Sequence, residues 1–113
     1  LIVRMPQDIL FATDSASVRP DLQNDLYALA DNLNQYPNTR VDIIGHTDSD
    51  GEDANNLDLS KRRAASVKAN LSREFSIESS RLQTDGKGET QPVAPNTTPE
   101  GKANNRRVEF VKI

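Results

Sequence analysis

The chain has 113 residues, 14 Lys and Arg against 17 Asp and Glu, a net charge of −3, 35% hydrophobic residues, 4% aromatic residues and no cysteine. That length fits one ordinary domain over residues 1–113, held by a core rather than by disulfides, and no run approaches the ~18 apolar residues of a membrane-spanning helix. A weakly acidic balance excludes a general nucleic-acid binder, which needs clustered uncompensated basic charge.

In chain order, residues 1–11 read as a strand broken by Pro6, which lacks the N–H that a central ladder position requires. The opening Leu-Ile-Val-Arg carries neither an initiator Met nor a signal-type apolar stretch, so the chain is expected to be a piece of a longer protein. Pro20 suits a first helical turn, and Leu22, Leu26, Leu29 and Leu33 recur in steps of four, three and four. That spacing predicts an amphipathic helix over 20–35, stopped by Pro37-Asn38. The β-branched run Arg40–Ile44 predicts a buried strand closed by Gly45. After the polar loop 48–53, a second helix is expected over 54–74 with Leu57, Ala64, Val67 and Leu71 inward. A strand resumes at Arg81–Thr84 and is expected to break at Gly86-Lys87-Gly88. Residues 89–104 form a long connection with a short helical turn after Pro99, and the alternating segment from Arg107 to Ile113 is the last strand. The order β-α-β-α-β-β predicts an α+β two-layer sandwich with two long helices packed on one face of a mixed sheet.

Several motifs fail on their own chemistry. The acidic loop Asp48-x-Asp50-Gly51-x-Asp53 invites calcium, yet an EF-hand needs Gly at its sixth position and Glu at its twelfth, where this loop has Asp53 and Leu59. His46 is the sole histidine, so no ordinary zinc set can form, and no Gly-x-Ser-x-Gly elbow exists to expose a nucleophile. It reads as a structural strand-end residue. Gly86-Lys87-Gly88 lacks the Lys-Ser/Thr closure of a phosphate loop and reads as a turn. Asp48 leaves the second strand, and Arg63 follows fifteen residues later on the next helix. A strand-loop-helix unit folds back on itself, so the two could face one cleft. On the residues alone, a plain surface ion pair is the commoner outcome for such a couple.

Taken together, Gly45-His46-Thr47-Asp48-x-x-Gly51, Asn56-x-x-Leu59-Ser60-x-x-Arg63-Ala64-x-x-Val67, Arg81-Leu82-x-x-x-Gly86-x-Gly88-Glu89-x-x-Pro92, Asn96, Gly101 and Asn105-Arg106-Arg107-Val108-Glu109 closely resemble the C-terminal domain of outer-membrane protein A and its relatives. Those relatives include peptidoglycan-associated lipoproteins and flagellar-stator proteins, and the likeness runs over residues 9–113. The resemblance implies a β-α-β-α-β-β fold and non-covalent binding of peptidoglycan through the diaminopimelate of its stem peptide. It implies Asp48 and Arg63 as the principal ligands, with Asn56, Thr47 and Arg106 in or beside the same pocket. The free end of diaminopimelate carries an ammonium and a carboxylate on one carbon. A carboxylate can meet the first, and a guanidinium can meet the second through two parallel N–H···O bonds. Arg62 should point about 100° away from Arg63 around the helix. Ala12 stands where some relatives have a polar residue after the Phe that is Phe11 here, so contact from that side falls to Thr13, Asp14 or backbone.

The resemblance thus implies a non-catalytic module, with no cofactor and no metal, that anchors an outer-membrane or envelope protein to the wall from the periplasm. Any membrane attachment would come through a missing N-terminal part. The competing expectation is an envelope protein-interaction or dimerisation module, a homodimer among them, that keeps the fold without the wall ligand.

Overall fold

The structure, a computed structural model, describes residues 2–7, 11 and 23–112. Among them run strand β1 (Ile2–Pro6), helix α1 (Gln23–Gln35), strand β2 (Val41–His46), helix α2 (Asp53–Glu74), strand β3 (Leu82–Gly88), helix α3 (Pro99–Asn105) and strand β4 (Arg107–Lys112). A 3₁₀ turn at Ser79–Arg81 leads into β3. The sheet order is β1-β4-β2-β3. β4 runs antiparallel to both β1 and β2, while β2 and β3 are parallel, so the sheet is mixed as expected.

Register sorts the side chains. Val3, Phe110 and Ile43 lie across from one another, as do Met5, Val108 and Gly45. This is the covered face, where Val41, Ile43, Val108 and Phe110 join Leu26, Leu29, Ala30 and Leu33 of α1 and Ala64, Val67 and Leu71 of α2 in one core. Each side chain of Leu or Phe size so buried contributes about 1.5–3 kcal/mol. Arg81 ties α1 to β3: its guanidinium donates to the carbonyls of Leu33, Tyr36 and Thr39 at 2.7, 3.0 and 3.0 Å. These carbonyls lie at and just beyond the helix end, where no intrahelical donor reaches them.

Three expectations need correction. The first strand ends at Pro6, the last position of an edge strand, rather than at residue 11. Pro6 pairs with Arg107 at an edge position where its missing N–H costs nothing; one further bond in register, from Gln7 N–H to the Arg106 carbonyl, follows before the chain turns and Phe11 N–H returns to the Gln7 carbonyl. Gly86 and Gly88 do not break β3 but lie within it. A Cβ on Gly86 would sit 2.5 Å from the Lys61 nitrogen and the Ser60 hydroxyl, and one on Gly45 would sit 2.3 Å from the Ser60 carbonyl oxygen. These glycines let α2 lie directly on the sheet. Leu57 is exposed, and the inward stripe of α2 begins at Ser60 and Arg63 instead. The short helical turn expected after Pro99 is present as α3, seven residues long, with Pro99 in its first turn and the Thr98 hydroxyl accepting from Gly101 N–H at 3.0 Å. The predicted start of the first helix, residues 20–22, lies outside the described residues.

Candidate functional site

One edge of the sheet gathers the residues that carry chemistry. Pro6 of β1, Arg107 of β4 and His46 of β2 form the terminal row. Just beyond it, Gln7 N–H bonds the Arg106 carbonyl and Thr47 N–H bonds the Gly88 carbonyl at 2.8 Å. The chain leaves β2 there as Thr47-Asp48, both buried.

Asp48 is held on both oxygens. Its Oδ1 accepts from Asp50 N–H at 2.9 Å, an Asx turn that shapes the loop, and its Oδ2 lies 2.8 Å from Nη1 of Arg106. The Thr47 hydroxyl donates to the Asp48 carbonyl at 2.9 Å. Asn56 Nδ2 donates to the Asp50 carbonyl at 2.8 Å, so Asn56 fixes the loop from the first turn of α2. Gly51, at φ +88°, gives the loop a backbone that other residues adopt only with strain. The loop's acidity is partly offset, because Lys102 lies 3.1 Å from the Asp50 carboxylate.

Arg63 projects from the inward face of α2, one turn after Ser60, and is only 3% exposed. Its guanidinium stands over the ring of Phe11, 5.3 Å from the centroid, within cation–π range. An arginine so buried must be compensated, since desolvating its charge is expensive. Its neighbour Arg62 turns away to solvent as anticipated, pairing with Asp58 one turn earlier at 2.8 Å.

Position along α2 is set by Ser60. Its hydroxyl donates to the Leu57 carbonyl at 2.8 Å and accepts from Gly88 N–H at 3.0 Å, stitching the helix to the end of β3. The strand-end glycines and Ser60 together fix where Arg63 lies relative to the loop that carries Asp48. Of the six residues singled out, the structure brings Thr47, Asp48, Asn56 and Arg106 into one bonded loop and places Arg63 against Phe11 on the adjoining helix. Asp14, like Thr13, lies outside the described residues.

The sequence profile of the OmpA family matches residues 10–106. The chain belongs to the OmpA family. Among relatives, outer membrane porin F of Pseudomonas aeruginosa is 45% identical over 108 residues, covering 96% of this chain and 31% of its own length. The chain thus spans about a third of that protein. Among solved structures, the cell wall anchor of the T6SS from Pseudomonas aeruginosa superposes with a TM-score of 0.86 at 36% identity, covering 96% of this chain and 78% of that one. The peptidoglycan-associated lipoprotein from Burkholderia pseudomallei gives 0.82 at 30% identity, covering 93% and 88%.

Two features of this OmpA-family chain escaped the reading of the sequence. Asn105 is completely buried and satisfies all its hydrogen-bonding capacity locally. Its Oδ1 accepts from the N–H groups of Val93 and Ala94, and its Nδ2 donates to the Ala94 carbonyl and to Oδ1 of Asn96. It thereby pins the 89–98 connection beside Arg106. Arg107 does the same from β4, donating to Glu109 at 2.7 Å, to the Asn105 carbonyl at 3.1 Å and to the Gln91 carbonyl at 2.9 Å. The only signal for either was the Asn-Arg-Arg run itself.

Behind the site, His46 is 2% exposed, its Nε2 3.4 Å from Glu109. Burial lowers its pKa, and the Arg107 charge lowers it further against the raising pull of Glu109, so the ring is neutral. Burial pushes the Glu109 carboxyl up, but hydrogen bonds and charge from Arg107 and Arg4 outweigh it and hold the group below its ordinary value. Among the described residues no group of three or more His, Cys, Asp or Glu could hold a metal ion, and no helix is long and apolar enough to cross a membrane.

Proposed function

We propose that this chain is a non-catalytic peptidoglycan-binding module. It grips the diaminopimelate of a stem peptide between Asp48 and Arg63 and tethers an envelope protein to the wall on the periplasmic side. The observation that carries this reading is a buried carboxylate on a braced loop at the end of β2 and a buried guanidinium on the inward face of the helix that follows that loop. Family membership adds to it, as do two solved relatives, one a cell wall anchor and the other a peptidoglycan-associated lipoprotein. Opposite charges held by separate elements favour a zwitterion, which can meet both of them at once, over a plain cation or anion, which can meet only one. The Arg106 bridge refines the picture. An arriving ammonium shares the Asp48 carboxylate with Arg106, which keeps that carboxylate oriented before the ligand comes. Thr47, Asn56 and Asp14 belong to the same proposed pocket, the first two by bracing the loop.

The test is calorimetric titration with a diaminopimelate-containing stem peptide. Asp48→Ala and Arg63→Ala should each weaken binding by about 2–5 kcal/mol, the range for removing one partner of a desolvated charge pair. Arg63→Lys, which keeps the charge but loses the planar fork, should also bind more weakly while folding normally by circular dichroism. Undiminished affinity in both alanine variants removes the claim. Retention on purified sacculi, competed by free diaminopimelate and without release of soluble fragments, separates anchoring from turnover. No retention together with a concentration-dependent oligomer would instead identify the interaction module.

A further inference from the structure

The ring of Phe11 supplies part of the compensation that the buried Arg63 charge requires. Phe11 is itself 2% exposed, and the guanidinium stands over its ring, 5.3 Å from the centroid. A carboxylate in that place would accept one or two of the five N–H donors of the fork. A ring attracts the cation through its quadrupole and needs no N–H···O bond to do so. Phe11 is in turn held by backbone. Its N–H donates to the Gln7 carbonyl at 2.9 Å, and the Gln7 N–H donates to the Arg106 carbonyl at 2.9 Å. Arg106 reaches Oδ2 of Asp48 at 2.8 Å. The segment from Gln7 to Phe11 therefore ties the arginine that holds Asp48 to the ring that faces Arg63, although the two arginines lie on different elements.

We infer that Phe11 is a positioning residue for ligand recognition: its ring sets how the Arg63 guanidinium is presented to the anionic end of the ligand. The inference rests on the function proposed above. Arg63 hangs on a long side chain with several rotatable bonds, and ordering it before the ligand arrives removes that cost from binding. A planar fork rewards this order, because two parallel N–H···O bonds need the guanidinium and the carboxylate aligned. Leucine at position 11 could fill much of the same space and bury similar apolar surface, but it would exert no such attraction on the cation. The apolar character of Phe11 serves the core that it joins, and its aromaticity serves the site.

The experiment measures by calorimetry the preference for a stem peptide carrying diaminopimelate over the same peptide carrying lysine, which lacks only the carboxylate at the side-chain end. Three chains are compared: wild type, Phe11→Leu, and a chain in which Phe11 alone is replaced by trifluorophenylalanine, whose ring keeps its shape and loses its attraction for a cation. Wild type should prefer the diaminopimelate peptide about thirtyfold or more, as expected for a desolvated charge partner. In both variants that preference should narrow about fivefold, through weaker binding of the diaminopimelate peptide while affinity for the lysine peptide holds. A merely structural role would weaken both peptides alike and leave the ratio unchanged, and urea unfolding reports that packing cost separately. An unchanged ratio in the fluorinated chain, beside a wild type that does discriminate, overturns the inference alone, whatever the leucine variant does. A wild type that binds the two peptides equally overturns the role proposed for Arg63, and this inference with it.

Discussion

A single asparagine organises the back of the site. Asn105 turns two N–H groups, one carbonyl and the Asn96 amide into a closed set of four hydrogen bonds, with no exposure of its own. Removing it takes away all four bonds that tie the partly exposed Val93–Asn96 segment to the buried end of α3. Asn105→Ala should lower stability by about 2–4 kcal/mol in urea unfolding. Asn105→Asp is the sharper probe. A carboxylate can still accept from Val93 and Ala94 but cannot donate to the Ala94 carbonyl or to Asn96, so it should fall between wild type and alanine. If aspartate proves as harmful as alanine, the two accepted bonds are not what stabilises the connection. Arg63 poses the opposite case at this scale, a side chain whose burial costs energy and which is kept against the ring of Phe11.

At the scale of elements, the seat of α2 on the sheet decides where Arg63 stands relative to the Asp48 loop, and glycines set that seat. Gly45→Ala would drive a Cβ to 2.3 Å from a backbone oxygen of α2, which cannot rotate away as a flexible side chain can. The helix must shift, at about 3 kcal/mol or more. Gly51→Ala differs, because its Cβ would meet nothing closer than the Asn56 side chain at 3.7 Å and only the positive φ is penalised, by about 1–2 kcal/mol. Parallel urea titrations of the two variants should rank Gly45→Ala as the more destabilised; the reverse order would mean that α2 is free to move. The same contrast explains what the sequence made legible. Leu26, Leu29 and Leu33 announced α1 because helical periodicity is written locally, and the alternation from Arg107 onward announced β4. Gly86 and Gly88 looked like a turn because a glycine's reason lies in the element that crosses it, here α2, which local spacing cannot display. The inward face of α2 was half legible: Ala64, Val67 and Leu71 fit an apolar stripe, whereas Ser60 and Arg63 on that stripe read as polar interruptions. For the site, the resemblance supplied Asp48, Arg63 and Arg106, but no spacing rule joins Arg106 to Asp48 across 58 positions of chain.

Across the whole molecule, the terminal row of the sheet joins the Asp48 loop to a buried ionic layer, and this layer gives the protein a defined response to acid. His46 is faced by Arg107 and Glu109 from β4 and lies within reach of the Lys87 charge on β3. In the unfolded chain its imidazole has the ordinary value of 6.5, and in the fold that value is lower, with burial the main cause. Between the two values the unfolded chain binds a proton that the folded protein refuses. Stability is therefore complete above pH 6.5 and declines as the pH falls through it, by at most about 1.4 kcal/mol per pH unit for one proton. The decline from this group levels off once folded His46 itself takes the proton. Glu109 adds a second phase of the same sign, since its folded value lies below its ordinary 4.5 and its contribution disappears as the pH falls through that folded value. Urea midpoints measured from pH 7.5 down to 4 should thus be flat at first, slope downward from about 6.5, and steepen at the acid end. His46→Gln keeps a polar side chain in the row but cannot titrate, so it should be flat until the carboxylate phase begins. A wild-type profile that is level to pH 5, or a glutamine variant that retains the first slope, would assign the acid response to groups other than this buried ring.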